Sequence, residues 1–372
     1  MFLLLNFLCA NIVQVNGCER FANSKKINID YRLQEKEKRK MKRFISFALA
    51  TILSFSLVAC NTDTADNGSD STEGDVLSIY TSFYPMYEFT QEIVGDTAEV
   101  VNIMPPGSAS HGWEPSARQV VELSEADVLV YQGVGMEEWI DDVKATLEAE
   151  GSDIIFIEAA EGLDLLVSSH THDHDHDQDH DHDHGDDHDD HDDHDHGEGY
   201  DPHVWLSVRS SIEILSNIKD ALVEIDGENA EAYNSNYEEY KSELEALDEK
   251  YTSELISADV DSFMITHEAF GYLARDFNLT QYGLSGMGTE QDPNPEKMAE
   301  MIDIVESEGM KAIYFDDAGS DKIALTLAAE LADVEVLPLT TLHSPTQAEM
   351  DAGLNYIKAM ETNLENLLAN AK

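Results

Sequence analysis

From Val76 onward, apolar residues recur in two alternating rhythms: short unbroken runs, and longer stretches with apolar positions three and four apart. The short runs predict strands and the longer ones helices. VLSIYTSF reads as a strand, PMYEFTQEIVG as a helix with proline in its first turn, and AEVVNIM as a second strand. SARQVVELSEA is a helix, DVLVYQG a third strand, MEEWIDDVKATLEAE a helix and DIIFIEA a strand. After a polar interruption, SVRSSIEILSNIKDALVEID predicts a helix, and Glu228 to Ile256 an unusually long one with neither proline nor glycine. The alternation then resumes: SFMITHEAF and LTQYGLSG as strands running into loops, KAIYFDD and VEVLPL as strands, and GYLARDF, PEKMAEMIDIVESEG and SDKIALTLAAELAD as helices. Strands that alternate with helices predict parallel sheets, so the expected fold class is α/β, two halves joined by one long helix. Ligands in such sheets bind beyond the carboxyl ends of the strands.

The N-terminal residues follow other rules. Met41-Lys42-Arg43 opens a charged segment followed by the apolar stretch Phe44 to Ala59 and then Cys60, the layout of a secretory signal. The stretch is short for a membrane span. Leu57-Val58-Ala59-Cys60 looks like a bacterial lipobox, in which Cys60 is lipidated and becomes the first mature residue. Residues 1–40 join an apolar start to a long mixed-charge tract, so translation is expected to begin at Met41. The expected organisation is therefore 1–40 as a misassigned upstream start, 41–59 as signal peptide and 60–75 as a polar tether. A first lobe over 76–225, a linking helix over 226–257 and a second lobe over 258–372 follow. Cys9 and Cys18 fall before Cys60, which leaves the mature chain without a disulfide or sulfur ligands.

Composition narrows the chemistry. Of 22 basic and 76 acidic residues, 10 and 4 precede Cys60, so the mature chain carries a formal charge of −60. Nucleic acid is excluded as a partner on that charge. Eleven of fifteen histidines lie in one run between residues 170 and 197, threaded among thirteen aspartates. They are His170, His172, His174, His176, His180, His182, His184, His188, His191, His194 and His196. Such a run cannot build a core but offers imidazole and carboxylate to divalent metals, so it is expected to be an accessory, low-affinity collecting loop.

Four histidines stand outside the run. His111 lies in a proline- and glycine-rich loop between strand and helix, His203 follows Asp201-Pro202, and His267 leaves the carboxyl end of a strand. Taken together these positions point to a metal site. Asp316 or Asp317, at another strand end, would complete it with oxygen. Three imidazoles and one carboxylate suit Zn²⁺, whereas manganese sites lean toward oxygen. Glu114, Asp201 and Glu268 are candidates for orienting the histidines. His343, with no comparable neighbours in sequence, is expected to be structural or on the surface.

The lipobox, HGWEP, the His/Asp-rich insert, DPHVWL, THEAFGYL and YFDDAGSDK, in that order, resemble the zinc-binding lipoproteins of bacterial ABC importers, the ZnuA/AdcA type of the metal-binding cluster A-I. The resemblance covers Val76 to Lys372. It implies two Rossmann-like lobes joined by a single long helix, with zinc in the cleft. His111, His203 and His267 would bind it with an acidic residue of YFDDAGS. It further implies a monomer held by Cys60 on the outer face of the membrane of a Gram-positive bacterium, passing zinc to an ABC permease. Two departures stand out. Some zinc-binding relatives carry glutamate in the last segment, and some continue into a second zinc-binding module that this chain lacks. Manganese-binding relatives typically have glutamate where His267 stands, so manganese is the alternative cargo, and a surface metal buffer or adhesin the alternative role. An enzyme is not expected: Gly271 occupies the place where the HExxH metalloprotease motif needs its second histidine.

Overall fold

The β-branched and aromatic runs form eight short strands, and every one is followed by helical structure. The computed structural model describes residues 76–108, 112–167, 199–285, 294–316 and 320–372. The expectations for the signal, Cys60, the histidine run, His111 and Asp317 lie outside the described residues. The first half contains β1 (Ser78–Thr81), α1 (Tyr84–Val94), β2 (Glu99–Asn102), α2 (Ala117–Leu123), β3 (Val128–Tyr131), α3 (Ile140–Glu150) and β4 (Ile155–Glu158). A 3₁₀ turn, Val204–Leu206, leads into α4 (Val208–Ile225) and the long α5 (Ala230–Ala258). The second half holds β5 (Ser262–His267), α6 (Gly271–Phe277), β6 (Thr280–Ser285), α7 (Pro295–Glu308), β7 (Ala312–Asp316), α8 (Lys322–Ala328) and β8 (Glu335–Leu339). It closes with α9 (Gln347–Asp351) and α10 (Tyr356–Leu367).

Each half builds one four-stranded, wholly parallel sheet, ordered β2-β1-β3-β4 and β6-β5-β7-β8. The two orders are the same, so each sheet reverses its winding between its central strands. The crevice there opens at the strand carboxyl ends, beside Thr81 and Tyr131 in one sheet and beside His267 and Asp316 in the other. Parallel sheets need apolar cover on both faces. One large core, including Phe83, Phe89, Trp205, Tyr251, Phe263 and Tyr356, fills the space between the halves, and smaller cores around Leu129 and Ile313 cover the far faces.

Helix α5 joins the halves because one side of it is apolar for its full length: Tyr233, Tyr240, Leu244, Leu247, Tyr251 and Leu255 are buried. Tyr240 meets Phe89 of α1 near one end, and Tyr251 stacks on Phe277 of α6 near the other. Its bounds differ from the expected Glu228 to Ile256 by two residues at each end.

Two elements depart from the sequence reading. The helix expected from Met136 begins only at Ile140, because Gly133, Val134 and Gly135 all take positive φ (87°, 56° and 76°). That turn wraps the buried Glu137 carboxylate, which accepts hydrogen bonds from Ser82 Oγ (2.6 Å) and from the Gln132 and Gly133 amides (2.9 and 3.0 Å). The second departure is at the end of the chain, where α9 and α10 follow β8 although no element was expected past Leu339. Asn355 caps α10 by accepting from the Lys358 amide.

Candidate metal centre

His267 is the last residue of β5 and Asp316 the last of β7, and these strands are neighbours in the second sheet. Their ends therefore flank the crevice, and His267 Nδ1 lies 2.5 Å from Asp316 Oδ2. Asp316 is buried, and the His267 side chain keeps 16% exposure. A run of buried strand residues, FMIT, carries His267 to this rim.

His203 approaches from the other half, just before the 3₁₀ turn. Its position follows from the Asp-Pro-His sequence: Asp201 Oδ1 accepts from the His203 amide (3.0 Å) and contacts its Nδ1 (2.8 Å), a local side-chain turn. Burial pushes the Asp201 carboxyl up to about 7, opposed by the His203 amide and by the neighbouring His267. His203 itself is fully buried.

Of the two places expected for His343, structural or surface, the structure shows the buried one. Its ring packs edge-on against Trp205 (4.8 Å between centroids) and His203 (5.5 Å). Its Nδ1 lies 2.8 Å from Thr341 Oγ1, and Trp205 Nε1 donates to the Thr341 carbonyl at 2.8 Å. Leu342, between them, is held at φ 55°, a left-handed conformation costly for a branched side chain. The signal that points to His343 is positional: it lies just past β8, the strand beside β7, so it leaves the same sheet edge as His267 and Asp316.

The cluster is thus three imidazoles from three separate segments, with His203 in the middle, 5.1 Å from His267 and 5.5 Å from His343. Each ring has an oxygen at Nδ1, which orients Nε2 as the nitrogen able to face a ligand. Among the described residues no three His, Cys, Asp or Glu side chains are already gathered as a metal cage. His111, the remaining histidine expected at the site, lies outside the described residues. Of the other candidates, Glu114 is exposed and Glu268 lies half-buried against Gly283. The two ends of the His/Asp insert meet in a bridge between Val167 and Tyr200, one residue before Asp201.

Residues 79–370 match the family model described as zinc-uptake complex component A, periplasmic. The chain is 36% identical over 314 residues to the high-affinity zinc uptake system protein ZnuA of Bacillus subtilis, covering 84% of this chain and 93% of that protein. It is 35% identical over 323 residues to the zinc-binding lipoprotein AdcA of Streptococcus pneumoniae, covering 87% of this chain and 60% of the relative's length. The crystal structure of the Zn(II)-bound ZnuA-like domain of that AdcA superposes with a TM-score of 0.64 at 33% identity, covering 80% of this chain and 99% of the domain.

Proposed function

Because the chain belongs to the zinc-uptake complex component A family, we propose that it captures Zn²⁺ between its two halves and delivers it to the membrane permease of an ABC importer. The observation that carries this reading is the cluster of His203, His267 and His343, each with an oxygen at Nδ1. In this reading Nε2 of those three rings and of His111 bind the ion. Asp201, Asp316 and Thr341 hold three of the rings in place from behind. Asp316 is thereby reassigned from the fourth ligand to an orienting residue, and His343 takes the fourth position. Four neutral imidazoles suit tetrahedral zinc far better than manganese, and the carboxylates of Asp201 and Asp316 balance the charge of the ion one shell out.

Around this site, Cys60 carries a lipid that holds the protein on the outer face of the membrane, and the His/Asp run gathers zinc at low affinity. The run returns to the fold at Tyr200, so ions collected there are held close to His203.

Deletion of residues 168–197 is expected to leave one tightly bound zinc ion in a calorimetric titration, with manganese bound far more weakly. Loss of the tight site on deletion, or a preference for manganese, would overturn the assignment. Zinc affinity of the same deletion protein is expected to fall steeply as pH drops below about 6.5, since each ring must be neutral to bind. Affinity unchanged between pH 7.5 and 5.5 would exclude an imidazole cage.

A further inference from the structure

We propose that Tyr272 is a positioning residue whose hydroxyl latches the stem of the His/Asp insert to the second half of the fold, and so sets how long the closed cleft holds its ion. This rests on the zinc site proposed above. Tyr272 is fully buried and is the second residue of α6, five positions after His267. Its hydroxyl donates to the Asp201 carbonyl at 2.8 Å and accepts from the Leu166 amide at 3.1 Å. Leu166 and Asp201 are joined in turn, the Asp201 amide donating to the Leu166 carbonyl at 2.8 Å. One phenol therefore ties together the outgoing and returning strands of the insert just where they leave the fold.

The geometry links that tie to the site. Asp201, bonded by Tyr272 through its carbonyl, holds His203 through its carboxylate. Tyr272 and His267 ride on the same short segment of the second half, so the hydroxyl bears on the spacing between His203 and His267. The fit is close on the backbone side too: a Cβ on Gly271 would stand 2.8 Å from Asp201 Oδ2. One turn along α6, Arg275 lies over the Tyr272 ring and donates from Nη1 to the Asp164 carbonyl at 2.9 Å, fastening the outgoing strand a second time.

Removing the hydroxyl takes a partner from the half-buried Leu166 amide and from the carbonyl of buried Asp201, and the latch lets the stem and Asp201 shift. Zinc release from Tyr272→Phe, followed by mixing the loaded full-length protein with excess chelator, is expected to be about tenfold faster than from wild type. In an Asp201→Ala background, where the path to His203 is already cut, the same change is expected to alter the rate less than twofold. Arg275→Ala, at a partly exposed position, is expected to speed release in the same direction by a smaller factor. Release from Tyr272→Phe at the wild-type rate, with only a lowered melting temperature, would overturn the latch and leave Tyr272 as packing. Absence of a tightly held zinc ion in the wild type would instead refute the site itself.

Discussion

His343→Ala is expected to lower zinc affinity by on the order of 100-fold, while Asp316→Asn lowers it about tenfold. A four-ligand zinc site contributes roughly 10–16 kcal/mol, so one ligand accounts for about 3 kcal/mol, or about two orders of magnitude. An orienting carboxylate accounts for less, and asparagine retains an oxygen able to accept from His267 Nδ1. Competition titration against a chelator of known affinity measures both losses. X-ray absorption at the zinc edge gives an independent count, four imidazoles in the wild type and three in His343→Ala. The reverse ranking, with Asp316→Asn abolishing tight binding and His343→Ala leaving it intact, would return the fourth position to Asp316. Trp205 packs directly on the His343 ring, so melting of the zinc-free variant belongs beside the titration as a check that the wall of the site survives.

Glu88→Gln is expected to flatten the pH dependence of unfolding. Glu88 lies on α1, its carboxylate accepting from the Tyr356 amide at the start of α10 (2.7 and 2.9 Å) and from the Tyr240 hydroxyl of α5 (3.1 Å). Burial raises its carboxyl from 4.5 to about 7, against those donors and the Tyr84 hydroxyl, with Glu92 on the same helix adding to the rise. The sign follows from linkage. Between pH 4.5 and about 7 the folded protein keeps a proton that the unfolded chain has released. Stability from this group is therefore full below 4.5 and lost as pH rises through about 7, at most roughly 3 kcal/mol. Denaturant unfolding of the zinc-free protein at pH 5 and pH 8 should show the wild type losing stability over this interval and Glu88→Gln losing clearly less. Parallel slopes for the two proteins would mean that Glu88 ionises without strain. Because Glu88 joins α1, α5 and α10, the effect bears on the contact between the two halves.

Much of this was readable in the chain. Alternating apolar runs announced two parallel α/β sheets, and the proline- and glycine-free stretch announced the helix between them. An apolar run ending in histidine placed His267 at a strand end because strand polarity and hydrophobic burial are local properties. Asp-Pro marks a restricted backbone just before His203, and the structure adds the turn that Asp201 makes around it. The helix at Met136 was misread because its first residues serve a buried carboxylate whose donor Ser82 stands 55 positions away.

What the sequence determined by itself was the fold class, the residues at strand ends and the ligand chemistry on offer, since each depends on neighbours a few positions apart. Tertiary structure alone decided which groups meet. His343 entered the cluster only because Trp205, whose indole bonds the Thr341 carbonyl 136 positions later, walls in the same crevice. Asp316 was drawn behind His267 because β5 and β7 lie side by side, and Tyr272 reached the insert stem because the two halves close there. Contacts of that kind arise from chain crossing and burial, and no local pattern of residues encodes them.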